Sequence, residues 1–179
     1  MAPCVLWVDE IEKSLASAEA GGGDGGVSRR VLGTLLTWMA ERTGRIFLVA
    51  TANDVSQLPP ELMRKGRMDE IFFVDLPDAS TREEIFRIHL RKRKLDPASF
   101  DVKQLAQATE GFAGAEIEQC VVSALTQVRL QDRALRFEDL HQAAINVIPL
   151  SKTMREQVEH IRSWAYDRAV RASPREAKT

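Results

Sequence analysis

Three short apolar runs mark the first half of the chain. Val5–Val8, Ile46–Ala50 and Ile71–Val74 are unbroken hydrophobic stretches of four or five residues, each ending at polar positions. Runs so short and without alternation predict strands buried on both faces. Between them the spacing becomes helical. Ile11 to Ala18 predicts a short helix, and Val31, Leu32, Leu35, Leu36 and Met39 predict a longer one from Ser28 to near Gly44. Strands separated by helices imply βα units and a parallel sheet. The segment 21–26 holds five glycines in six residues; it predicts a mobile connection, because ordering glycine loses the most backbone freedom.

After Pro77 the pattern is helical only. Ser80 with Glu83 predicts a capping box opening a helix to about Lys92. Asp101 with Gln104 opens a second helix that stops at Gly111. Ile117, Cys120, Val121, Ala124, Leu125 and Val128 then keep an unbroken i, i+3, i+4, i+7 stripe,. Phe137 to Ile145 predicts a fourth helix. Met154, Val158, Ile161, Trp164 and Ala165 predict a last amphipathic one beyond Pro149, and the tail after Ser173 is expected to fray. The fold class expected is α/β, a three-strand parallel-sheet part over residues 1–78. A helical bundle over 79–148 and a terminal helix with its tail over 149–179 follow it.

Composition adds limits more than direction. The chain has 179 residues, 44% apolar and 28% charged, which is enough for a core. A net charge of −1 gives no sign of a nucleic-acid or membrane-surface partner. Cys4 and Cys120 have neither disulfide nor metal spacing and read as small buried apolar residues in a reducing, cytoplasmic compartment. No window approaches the ~20 apolar residues of a membrane span, and the first residues do not resemble a signal peptide.

Chemistry concentrates in three places. Asp9-Glu10 ends the first strand, where carboxylates project into the crevice in which parallel sheets bind ligands. Asp9 suits a phosphate-bound Mg²⁺, which takes one or two carboxylates and keeps several waters; Glu10 could polarise an attacking water. Helix-capping acids would look the same. Asn53, ending Ala50-Thr51-Ala52-Asn53, could hydrogen-bond a water or phosphate oxygen, or could form an ordinary Asx turn. Arg64 and Arg67 straddle Gly66 in an exposed-looking segment, suited to neutralising charge on a transferring phosphoryl group or to a solvated basic turn. The basic stretch Arg87, Arg91, Lys92, Arg93 and Lys94 reads as a solvated helix end.

Together, in this order and spacing, the three groups resemble the AAA+ ATPases. Val5–Glu10 resembles their Walker B element, Ala50–Asn53 their sensor 1, and Leu58–Asp69 the region carrying the arginine fingers. Thr109–Ile117 is similar to the opening of the third lid helix in the AAA clade proper. The resemblance covers about residues 4 to 148. Leu6–Lys13, Gly33–Trp38 and Glu70–Pro77 look most like bacterial and chloroplast members of uncharacterised role.

The resemblance implies the P-loop NTPase fold, with ATP and Mg²⁺ as cofactors and ATP hydrolysis coupled to remodelling of a macromolecular client in a ring of AAA subunits. Asp9 would hold Mg²⁺ through water, Glu10 would activate water and Asn53 would act as sensor. Arg64 and Arg67 would be fingers acting on a neighbour's ATP. His89 would lie near the adenine or ribose, with Gly114 and Ala115 beside the base.

The resemblance is incomplete. No Gly-x-x-x-x-Gly-Lys-Ser/Thr occurs in the 179 residues, so the family's phosphate cradle is missing. In the family its strand lies between those matching 46–50 and 71–74, and losing it exposes apolar edges. Three explanations are therefore expected to compete. One is the C-terminal portion of a longer ATPase, inactive alone. Another is a non-catalytic partner that docks on full-length subunits and supplies arginine fingers in trans. The third is a decayed remnant.

Overall fold

The computed structural model describes residues 2–16, 25–41, 43–64 and 66–173. The chain divides into two compact units, Met1–Ile71 with Arg168–Val170, and Phe72–Asp167 with Arg171–Thr179.

In the first unit, strands β1 (Cys4–Val8) and β2 (Ile46–Ala50) pair in parallel, Cys4 opposite Ile46 through Val8 opposite Ala50. Helices α1 (Ile11–Ala16) and α2 (Gly25–Glu41) connect them. Ile11, Leu15, Met39 and Leu62 form the core, with Val8, Leu32, Leu35, Leu36, Leu48 and Ala50 packed against it. The strand period of two puts Val8, Leu48 and Ala50 against this core. Val5, Trp7 and Phe47 stand on the other face and are 68%, 61% and 69% exposed. Burial of these strands on both faces is thus not what forms, because the described residues supply a helical layer to one face only.

Several local expectations also shift. The first helix reaches Ala16; residues 17–24, and with them most of the glycine segment, lie outside the described residues. The second helix begins at Gly25 rather than Ser28 and ends at Glu41 rather than near Gly44, so Gly25 and Gly26 are helical. The third apolar run shortens to β3 (Phe72–Phe73) and does not join the parallel sheet. It pairs with β4 (Val170–Arg171), a partner too short and too exposed to stand out as a strand in sequence.

The second unit is helical. Helix α3 spans Ala79–Lys92, α4 Val102–Ala108, α5 Gly114–Leu130 and α6 Phe137–Ile145. Phe86, Leu90, Leu105, Ile117, Cys120, Val121, Ala124 and Leu140 are fully buried among them. The cap of α3 is Asp78, whose carboxylate accepts the Thr81 N–H at 2.6 Å, and Ser80 lies inside the helix. Asp101 caps α4 as its sequence implied, accepting the Gln104 N–H at 2.9 Å. The terminal segment is two helices, α7 (Leu150–Thr153) and α8 (Arg155–Tyr166). They break at Met154, whose φ of −119° and ψ of 36° leave the helical region,.

Candidate functional site

The parallel register brings the ends of β1 and β2 side by side, and the residues after each strand hydrogen-bond across the gap. The Thr51 N–H donates to Val8 C=O at 3.0 Å, and the Ile11 N–H donates to Thr51 C=O at 2.9 Å. Glu10 takes a left-handed φ of 48°, an uncommon conformation for a residue with a side chain. Its N–H donates to Thr51 Oγ1 at 3.0 Å, and the Thr51 hydroxyl donates to Asp9 Oδ1. Thr51 thereby fixes both the backbone turn and one oxygen of Asp9.

Asn53 reaches the same place from the β2 side. Its Nδ2 donates to Glu10 Oε1 at 2.9 Å, and its backbone N–H donates to Glu12 Oε1 at 3.0 Å. Lys13 Nζ donates to Glu10 Oε2 at 2.7 Å. That hydrogen bond, with the carboxylate's charge, raises the Lys13 pKa above its ordinary value of 10.5. The pair is solvent-exposed and contributes little to stability. The Glu10 side chain faces Asn53 and Lys13. Asp9, Glu10 and Asn53 come together, and two residues without an assigned role, Thr51 and Glu12, hold them. Sequence carried a signal for Thr51, which lies between the strand and Asn53, but none for Glu12.

The donor set fits a particular kind of metal. Among the described residues no group of three or more His, Cys, Asp or Glu could hold an ion. The described residues thus offer no closed protein cage. One exposed carboxylate beside a hydroxyl suits Mg²⁺ that arrives on a polyphosphate with its own waters.

Arg64 and Arg67 lie in the same unit and differ. The Arg67 N–H donates to Arg64 C=O at 3.2 Å across Gly66, whose φ of +90° strains any other residue. The Arg64 residue is exposed, whereas Arg67 is half-buried and its Nη1 is buried without a hydrogen-bond partner among the described residues.

The remaining three expected residues belong to the second unit. His89 Nδ1 is 3.3 Å from Glu118 Oε1 and 3.4 Å from Arg93 Nη1. Burial is the main cause that lowers the His89 pKa below 6.5, so the neutral ring is favoured. The Arg93 hydrogen bond is the main cause that lowers Glu118 below 4.5. Gly114 is the first residue of α5, and Ala115 is exposed. A Cβ at Gly114 would meet Ile85 Cδ1 at 3.7 Å, an ordinary contact. Glu116 ties this turn down: Oε2 accepts the Ala113 N–H at 2.7 Å and Oε1 the Leu150 N–H at 2.8 Å. No described helix is long and apolar enough to cross a membrane.

Residues 1–76 match the family model described as "ATPase family associated with various cellular activities (AAA)". The chain is 43% identical over 168 residues to an uncharacterized AAA domain-containing protein, ycf46, of Pyropia yezoensis, covering 93% of this chain and 34% of that protein. It is 34% identical to the proteasome-activating nucleotidase of Saccharolobus solfataricus, covering 90% of this chain and 42% of that one. The chain therefore spans about a third of the length of the ycf46 relative. The crystal structure of the FIGL-1 AAA domain in complex with ADP superposes with a TM-score of 0.74 at 18% identity, over 94% of this chain and 59% of that one. At that identity the likeness shows the fold. With strand-end acids, a facing asparagine and a AAA-domain fold in one chain, the protein belongs to the AAA+ ATPases.

Proposed function

We propose that these residues form the hydrolytic half of an ATPase site. The observation that carries the reading is the Asn53 Nδ2 to Glu10 Oε1 hydrogen bond, which aims two polar side chains from different strands at one point. In this reading Glu10 orients and deprotonates the attacking water, and Asn53 holds the Glu10 carboxylate and contacts the departing phosphate. Asp9, its Oδ1 fixed by Thr51, holds Mg²⁺ through water. The ion would supply charge neutralisation on the phosphates. The ADP bound to the FIGL-1 AAA domain supports nucleotide as the ligand.

The finer reading is a ring of AAA subunits that remodels a macromolecular client. In this reading Arg64, which is exposed, and Arg67 are the fingers offered to a neighbour's nucleotide. The phosphate-gripping lysine is not among these 179 residues, so turnover is proposed for the assembled site.

A graft tests this. The 179 residues replace the matching segment of an AAA ATPase that has a Gly-x-x-x-x-Gly-Lys-Ser/Thr loop, and steady-state Mg-ATP turnover is measured. The expected result is turnover that Asp9→Asn abolishes and that Arg64→Ala abolishes in a manner rescued by mixing with Asp9→Asn subunits. A graft whose turnover ignores Asp9→Asn overturns the reading.

A further inference from the structure

Glu12 is a buried acid with almost nothing to offset its burial. It is 2% exposed, in a six-residue helix whose buried face among the described residues is otherwise Ile11 and Leu15. A carboxylate placed there loses its hydration, and such groups are retained when each oxygen finds donors. Here Oε1 accepts a single bond, from the Asn53 N–H at 3.0 Å, and Oε2 has no hydrogen-bond partner among the described residues. For stability alone an apolar side chain of the same length would serve about as well. What it could not do is hold the Asn53 backbone.

That backbone needs holding. β2 ends at Ala50, and Asp54 already turns the chain away by capping the Val55–Gln57 turn with its carboxylate on the Ser56 N–H. Between those points the backbone N–H of Asn53 is tied by Glu12 alone among the described residues, while its side chain must reach Glu10 Oε1.

We infer that Glu12 is a positioning residue for the Asn53–Glu10 pair, acting through the Asn53 backbone N–H without touching the ligand. Glu12 thus makes a second tie between α1 and the segment after β2, beside the one Thr51 makes to Asp9 and Glu10. One anchor fixes the acids and the other fixes the amide that faces them. The inference rests on the hydrolytic reading only for its consequence in turnover, since the anchoring itself is a property of the fold.

The test compares Glu12→Gln, which keeps an acceptor oxygen, with Glu12→Met, which keeps length and packing but accepts nothing. In the 179-residue chain, amide hydrogen exchange at Asn53 is the direct readout. Loss of a hydrogen bond to a charged group predicts exchange roughly ten- to a hundredfold faster in Glu12→Met, with Glu12→Gln within a few-fold of the unsubstituted chain. In the grafted ATPase, Glu12→Met lowers kcat with KM for Mg-ATP unchanged, and Glu12→Gln restores kcat. Unchanged Asn53 exchange in Glu12→Met overturns the inference, as does equal damage from Gln and Met. Failure of the hydrolytic reading looks different: Glu10→Gln would then leave graft turnover intact while the exchange result still decides the role of Glu12.

Discussion

Replacing Thr51 by Val keeps the side-chain shape and deletes one hydroxyl that serves two partners. The Glu10 N–H loses its acceptor at Oγ1, in a backbone already held at a left-handed φ of 48°. Leaving that partly buried N–H unpaired costs about 1–2 kcal/mol. The second bond, to Asp9, is solvent-exposed and adds roughly 0.5 kcal/mol at most after screening. The first unit should therefore lose about 1–2.5 kcal/mol. At an m-value of about 1 kcal/mol/M in urea, the low end expected for a small unit, its midpoint falls by about 1–2.5 M. Trp7 and Trp38 lie in the first unit and Trp164 in the second. Emission from a Trp164→Phe background therefore follows the first unit alone. Thr51→Ser, which restores the hydroxyl, should recover most of the shift. A midpoint in Thr51→Val equal to that of the unsubstituted chain would mean that the two bonds do not stabilise the first unit.

A helix cap, the two thiols and one glycine turn give three further outcomes. The hydrogen bonds from Thr81 and Ser80 lower the Asp78 pKa below 3.8. Their stabilisation is therefore complete above the unfolded value of 3.8 and lost as pH falls through the lower folded value. Asp78→Ala should cost about 1 kcal/mol at neutral pH and flatten that acid limb in a urea-midpoint series. Burial raises the Cys120 thiol to about 11 while Cys4 is exposed. Titration with an aromatic disulfide reagent at pH 8 should thus find one reactive thiol in the native chain and two in denaturant. Gly111 has φ +79°, and a Cβ there would sit 2.5 Å from Ser151 Oγ. Gly111→Ala should cost about 1–2 kcal/mol for the backbone plus a clash that Ser151→Ala removes, so the double variant should be more stable than the single one by thermal melting.

The acids and the asparagine were legible in sequence because each follows an apolar run long enough to fix a strand end. β1 matches its run within a residue, β2 matches its run, and α6 has the bounds its pattern gives. What escaped depends on what packs next. Val5, Trp7 and Phe47 look like buried residues in any one-dimensional reading, and only the layer count reveals their exposure. Asp78 caps α3 from a position that Ser80 competes for on composition alone. Glu12 was the least visible, since an acid beside Ile11 in a short helix normally faces solvent. The hydrogen bond that explains its burial spans 41 residues.

If Glu10 performs the chemical step while other groups bind nucleotide, the single-turnover rate of pre-bound Mg-ATP in the Glu10→Gln graft separates the two roles. Gln has no base to offer, so the rate should fall by about 10²–10⁴-fold with nucleotide affinity unchanged within about threefold, well under the ~1.4 kcal/mol of a tenfold change. A single-turnover rate equal to that of the unsubstituted graft would contradict the account.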